Sequence, residues 1–386
     1  MDFVMIEPVL KASPWGTRRF LSELSGIQSD AERIGEMWMG THPSGTCRIP
    51  NYPNGNLSDF LRSNPIWGQK TGKLDFLFKV LSIENPLSIQ VHPDAQTARL
   101  GYEAETLKRL STPPSQCNYQ DANPKAEMLC ALSRTTAMVG FLPIARIKAN
   151  LRRVIPSFCQ AFDECQTIES FFKTLYHMDK ARLAPMIQAL KANLEKEDDG
   201  LVSAFLTAEQ IALKCIKDYP EDPGVLAPFF LNVAWLNPGE ALYLSPGVLH
   251  SYVYGTIVEL MNNSDNVLRA GLTPKHMDLD ELEKVTRFES FAAINLETST
   301  GPDGIHYIAP DADFELVRLK GGCHEGRQDL VQILLCYEGT ASLKSKDQTL
   351  TLTSGKVALI SADAKDYTID ISDGGLGFLA SASRRP

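Results

Sequence analysis

From about Ile144 to Lys217 the apolar residues recur at the spacing of one helix face, whereas the stretches on either side read as short apolar strands broken by Gly, Pro and Asp turns. Phe171, Leu175 and Met178 share one face. Leu183, Met186, Ile187 and Leu190 form a second stripe, and Phe205, Ile211, Leu213 and Ile216 fit a further helix. Lys and Glu fill the gaps, so 145–217 reads as a helical insertion, a lid or wall with no chemistry of its own. Before it, Leu77–Ile83 and Leu87–Val91 read as buried strands around a Glu-Asn-Pro turn, followed by Met128–Leu132 and Ala137–Phe141. After it come Val233–Leu236, Ala241–Leu244, Ile257–Met261 and Val267–Ala270, then a helix at Asp278–Val285 with an acidic start. From Gly304 onward the chain returns to short strands. The expected fold class is therefore mainly β with a helical insertion.

A formal net charge of −9 lacks the basic face of a nucleic-acid protein and opposes docking on anionic lipid. It leaves room for a small anionic substrate, because a few local cations suffice for one phosphate. MDFVMIEPVL lacks the basic start and apolar run of a signal peptide, and no apolar run is long enough to span a bilayer. The eight cysteines are scattered without C-x-x-C spacing, which points to reduced thiols in a cytoplasmic protein.

A weak repeat joins the two β-rich regions. Gly239, Ser245, Gly247 and His250 are spaced as Gly355, Ser361, Asp363 and Asp366, each copy a turn, a strand and a second turn. Two related barrel units would produce this. The second copy has Asp in place of the histidine, so a C-terminal unit is expected to lack a metal site. The first copy resembles the second cupin motif, in which a tight turn aims a histidine into a small barrel. Imidazole is a common metal ligand.

Three other places carry chemistry. Gln90 and His92 stand two apart on a strand and share a face. They are half of a metal site, or a buried pair bonded to backbone. Glu127 opens the apolar run Met128–Leu132, where a carboxylate is costly unless paired or metal-bound. Its alternative is a surface pair with Lys125. One amide, two imidazoles and one carboxylate suit an open zinc site better than a closed structural one. Arg269, among Val267, Leu268 and Ala270, either points inward to hold anionic oxygens or sits on the solvent side of an edge strand. The chain has no P-loop pattern.

Over most of its length the chain resembles the type I mannose-6-phosphate isomerases. The matching segments are Gly35–Ser44, Phe78–Ser82, Pro86–Asp94, Lys125–Met128, Leu236–Ala241, Gly247–Tyr252 and Ser264–Lys275. The resemblance implies a cupin-like jelly-roll barrel for catalysis (1–144 plus 218–290), a helical domain (145–217) and a second cupin-like barrel without metal (291–386). It implies a monomer that binds one zinc and interconverts mannose 6-phosphate and fructose 6-phosphate through an enediol. The implied metal ligands are Gln90, His92, Glu127 and His250. The implied catalytic residues are Arg269 and Lys125. The implied substrate-binding residues are Lys79, Ser88, Lys275, Tyr252, Glu259, Asp265, Trp15 and Glu36.

Pro124 stands where the family often has a histidine, so the proton carrier must be another group, Lys125 or a metal-bound water. A second reading is a cupin that binds a sugar phosphate without turning it over, as a sensor would. A third, a metal oxygenase on the same scaffold, fits less well, since such sites carry an open His/His/carboxylate face and Gln90 would be an odd extra ligand.

Overall fold

The computed structural model describes the chain except residues 51, 54, 68–70, 198–203, 310 and 384–386, and the side chains of residues 66 and 197. Residues 198–203 of the expected helical insertion lie outside the described residues.

Two antiparallel sheets dominate. The first is folded over into two layers by the strand His250–Asn262. Its early residues pair with Thr135–Phe141, and His250 pairs with Gln90; its later residues pair with Phe76–Ile83 and Glu127–Ala131. Gly255, at φ +116°, lies at the change of partners, and a Cβ there would meet Thr135 Oγ1 at 2.6 Å. A backbone that must turn this corner against a neighbour favours glycine. One layer runs in the order Leu231–Leu236, Thr135–Phe141, the start of the long strand, Ile89–Val91, Leu268–Gly271. The other runs Ala241–Leu244, Glu127–Ala131, the end of the long strand, Phe76–Ile83, Ile34–Met39, Val9–Thr17. This is a cupin-like β-barrel.

The second layer is buried on both sides, so its strands read as continuous apolar runs, yet period-two alternation still sorts them. Phe76, Phe78, Val80, Met128, Cys130, Val258, Leu260, Met37 and Met39 pack outward, in one core with Ile333, Leu335, Val357 and Phe378 of the second sheet. The alternate residues Leu77, Lys79, Leu81, Glu127, Glu259, Met261, Glu36 and Trp38 face a cavity inside the barrel. Burial at about 25 cal/mol per Å² makes the outward face a major source of stability. It leaves the inward face free to carry charge.

The second sheet runs Phe3–Ile6, Val357–Ile360, Gln332–Glu338, Thr368–Ala382, Phe314–Glu325, Gly304–Tyr307, Thr298–Gly301, with Thr340–Lys344 and Thr349–Thr353 beside it. Its first strand corrects the expectation that residues 1–144 all serve the first barrel. Phe3–Ile6 pairs residue for residue with Val357–Ile360, and Phe3 is buried in the core of the second sheet. The repeated turn–strand–turn is present in both sheets: Gly239 and Gly355 both take positive φ before Ala241–Leu244 and Val357–Ile360.

The expected helix near the end of the first barrel spans Leu279–Val285, and between the first-barrel strands lie the helices Ile144–Val154, Ile168–Tyr176, Lys180–Glu197, Ala208–Asp218 and the short Ala227–Phe230. They extend past residue 217 and pack through Phe171, Leu175, Leu183, Met186, Ile187, Leu190, Ile211 and Ile216 onto Phe229 and Phe230. Phe205 lies outside the last long helix, which starts after Thr207. The Thr207 side chain accepts from Gln210 N–H in a capping box that ends any earlier helical path. None of the described helices is long and apolar enough to cross a membrane.

Candidate active site

A cavity of about 920 Å³ opens inside the first barrel. At its inner end Glu127, His92 and His250 meet, with their ligand atoms all within 4.8 Å of one another. Each comes from a different part of the barrel. Glu127 opens its strand opposite Met261 and Leu244. His250 opens the long strand opposite Gln90, and Gln90 is in turn opposite Arg269. Residues directly across an antiparallel ladder share a face, so Gln90, Arg269 and His250 lie on one face, and Gln90 and Arg269 line the cavity. His92 follows the Gln90 strand, and its carbonyl accepts the Gly247 N–H at 2.9 Å. Gly247 has φ +85°, and a Cβ there would meet Arg287 Cγ at 2.6 Å. The turn that presents His250 is thus docked on the residue beside it in space.

The hydrogen bonds decide the imidazole tautomers. His92 Nδ1 lies 2.7 Å from the Asn266 carbonyl, and His250 Nδ1 lies 2.9 Å from the Val248 carbonyl. A carbonyl only accepts, so both Nδ1 atoms carry a proton, and Nε2 is the atom through which each ring can offer a lone pair to a metal. Both Nε2 atoms face the Glu127 carboxylate, at 3.1 and 3.2 Å. His250 Nε2 is buried and has no hydrogen-bond partner. The Lys125 ammonium reaches two of these three acceptors, and His250 Nε2 is left for a further cation. Backbone oxygens fixing Nδ1–H is also the usual orientation of metal-binding histidines. The donor set fits a divalent metal with nitrogen and oxygen ligands. Gln90, on the same barrel face, can add an amide oxygen.

Electrostatics point the same way. Burial and the nearby Lys125 charge together push His92 down to about 4, so the ring is neutral near pH 7. Burial works to raise the Glu127 carboxyl, but Lys125, His92 and the contact with His250 outweigh it and hold it well below the ordinary carboxylate range. Lys125 Nζ bonds Glu127 Oε1 and stands 3.2 Å from His92 Nε2. Tyr252 O–H donates to Glu127 Oε2 at 3.1 Å.

One wall is a charged ladder. Lys79 Nζ lies 2.9 Å from Glu259 and 3.5 Å from Glu36, and sits over the Trp38 ring at 5.3 Å. Trp38 Nε1 donates to Glu36 at 2.7 Å. Burial acts against the Lys79 charge, but Glu259, Glu36 and Glu127 outweigh it and hold the ammonium above the usual lysine range. Lys79 therefore lines the cavity with its charge already matched by two carboxylates. The opposite side differs. Arg269 and Lys275 have no ion-pair partner among the described residues, and burial pushes both down, Lys275 also by repulsion from Arg269. Arg269 thus takes the inward alternative and donates only to its own Val267 carbonyl, at 3.4 Å. Ser88, Asp265, Trp15 and Tyr252 complete the lining. Pro124 brings no titratable group to it.

Sequence reading missed the residues that aim the ligands. Asn266 holds His92 through its carbonyl and, through its side chain, the backbone N–H groups of Gln120 and Asp121. The polar run Asn262–Asn266 is the signal that could have exposed it.

Comparison with known proteins agrees with this site. A family model described as phosphomannose isomerase type I, catalytic domain, matches residues 4–144. The mannose-6-phosphate isomerase of Escherichia coli K12 is 34% identical over 92% of this chain and 94% of its own length. The human mannose-6-phosphate isomerase is 32% identical over 90% and 91%. A crystal structure of the Salmonella typhimurium enzyme in its apo form superposes with a TM-score of 0.87 at 30% identity, covering 99% of this chain and all of that one. A zinc-bound holo structure of mannose 6-phosphate isomerase gives the same score and coverage. Relatives this similar over nearly their whole length share more than a barrel, and the chain belongs to the type I mannose-6-phosphate isomerase family.

Proposed function

We propose that this chain is a zinc-dependent isomerase that interconverts mannose 6-phosphate and fructose 6-phosphate by proton transfer through an enediol. The observation that carries this reading is the pair of imidazole Nε2 atoms turned on a buried carboxylate at the floor of a cavity with two unmatched cations. Gln90, His92, Glu127 and His250 would hold the zinc. When bound, zinc supplies Lewis-acid charge to the oxygens that become anionic in the transition state.

The residues divide the remaining work. The proton leaves C2 of the aldose and returns at C1, while the hydroxyl proton passes from O2 to O1. Lys125, between the ligands and the cavity, is assigned the carbon-bound proton, which it takes up from C2 as the free amine and returns to C1 from the ammonium so formed. Arg269 is assigned to the negative charge that develops on the enediol oxygens, because a planar guanidinium with no carboxylate partner can donate two bonds to them. Lys275 and Ser88 are assigned to the phosphate. Lys79, with its charge matched, orders Glu36 and Glu259 toward sugar hydroxyls, and Tyr252 braces Glu127. Trp15 provides an apolar wall. All eight cysteines are unpaired, which supports placing the enzyme in a reducing compartment.

The test couples fructose 6-phosphate formation from mannose 6-phosphate to a reporter, with zinc content measured on the same sample. Turnover should follow bound zinc, vanish with chelator and return on zinc addition. Zinc-loaded protein that binds the sugar phosphate without turning it over would leave the sensor reading in its place.

A further inference from the structure

Nothing in the proposed chemistry uses His42, although it is buried beside the cavity. It ends the short strand Thr41–His42, and both ring nitrogens are committed. Ser44 N–H donates to Nδ1 at 3.1 Å. A nitrogen that accepts carries no proton, so the proton of the neutral ring is on Nε2. Nε2 lies 3.3 Å from Asp265 Oδ1. Trp38, which lines the cavity, packs edge-on against the imidazole with centroids 4.9 Å apart and limits its rotation. Asp265 is itself half-exposed, and its exposed part faces the cavity. From behind, the Asp265 backbone N–H donates to Asp121 Oδ2 at 2.8 Å. The groups around the Asp265 carboxyl are thus His42, the Asp121 carboxylate, and the more distant Lys125 and Lys79.

We propose that His42 is a positioning residue for the isomerisation: its Nε2–H fixes the orientation of Asp265, which then accepts a hydrogen bond from a hydroxyl of the bound sugar. The proposal rests on the function assigned above. Burial acts to raise the Asp265 carboxyl, but the contact with His42 outweighs it and holds the group below its ordinary value.

Two conservative variants separate this role from a structural one. The amide of His42→Asn reaches about as far as Nδ1, so it can still accept from Ser44 but cannot donate to Asp265. The amide of His42→Gln reaches about as far as Nε2 and keeps the donor. Loss of one charge-assisted bond predicts a rise in KM for mannose 6-phosphate of about tenfold in His42→Asn. The acidic limb of its kcat/KM profile should move to higher pH, with zinc content unchanged. His42→Gln should stay within about threefold of wild type. In an Asp265→Asn background, His42→Asn should add nothing, because the two act as one unit.

A normal KM and unmoved pH limb in His42→Asn overturn the proposal. So do losses that add to those of Asp265→Asn, or a His42→Gln variant as impaired as His42→Asn. If His42→Asn does not fold, His42→Gln decides in both backgrounds: near-wild-type turnover alone and no further loss with Asp265→Asn uphold the proposal, and the reverse overturns it. If zinc-loaded wild type shows no turnover, the functional reading fails separately. Imidazole nitrogen NMR then still reads the dyad: an Nε2–H tautomer whose pKa falls in Asp265→Asn supports it, and an Nδ1–H tautomer refutes it.

Discussion

Glu127→Gln keeps the shape of the metal site and removes its charge. Both oxygens of Glu127 are in use: Oε1 faces His92 Nε2 at 3.1 Å, and Oε2 faces His250 Nε2 at 3.2 Å with Tyr252 O–H at 3.1 Å. The glutamine amide places N–H donors opposite an imidazole lone pair. It also takes the carboxylate away from the Lys125 ammonium. Loss of an outer-shell partner typically weakens metal binding by about 10–100-fold, so loss of a charged ligand should cost at least about 100-fold. At a zinc concentration about 1,000 times the wild-type Kd, zinc stabilises the wild type by about 4.1 kcal/mol and the variant, at ten times its Kd, by about 1.4. The assay is thermal and urea unfolding with zinc and with chelator, paired with a chelator-competition titration for Kd. In chelator the variant should be less stable than wild type, because Lys125 loses its buried carboxylate, and with zinc it should lose about 2.7 kcal/mol more, the difference between the two zinc-dependent gains. Zinc affinity within a few-fold of wild type would show that Glu127 serves only as an ion-pair partner of Lys125 and refute the reasoning.

Arg269→Ala should keep zinc and lose turnover on the order of 100-fold or more, since two charge-assisted bonds to anionic oxygens are removed; the coupled assay with metal analysis on one sample decides this, and near-normal turnover ends the assignment. Asp222→Ala should loosen the loop that carries Arg269 and Lys275, because Asp222 accepts from Leu272 N–H at 2.8 Å and Gly224 N–H at 2.7 Å while Leu272 holds φ +54°. Unfolding should show a loss of about 1–3 kcal/mol together with a higher KM, and an unchanged KM would mean that the cations are held some other way. In chelator, stability should fall as pH drops from about 6.5 to about 4, because His92 is held at about 4 when folded and the unfolded chain binds more protons across that window. The total is about 3 kcal/mol, and urea midpoints that stay flat across the window, or that slope equally in His92→Asn, would disprove it.

Much of this site was legible before any coordinates. Gln90 and His92 were placed on one face by strand alternation. His250 was singled out by the glycine and proline before it, because so tight a turn can only present the side chain that follows. Glu127 stood out as a carboxylate opening an apolar run. Arg269 was different: alternation within Leu268–Gly271 does not say which face is inside, and only its pairing across from Gln90 settles it. Lys79 was legible as a cavity residue but not as a neutralised one, since Glu36 and Glu259 reach it from strands 43 and 180 residues away in sequence.

The chain by itself determined its alternation of β, helical and β segments, the turn that presents His250, and the residue types that could hold a metal. These are local properties, set by side-chain period and by what glycine and proline allow within a few residues. The tertiary structure decided everything that depends on closure of the barrel. It joined Phe3–Ile6 to the far end of the chain. It turned two imidazole Nε2 atoms onto one carboxylate, and it left Arg269 and Lys275 unmatched while matching Lys79. It also set His42 behind Asp265 across more than 200 residues. Charge compensation and tautomer choice depend on neighbours in space, and no period or motif in a sequence records who those neighbours are.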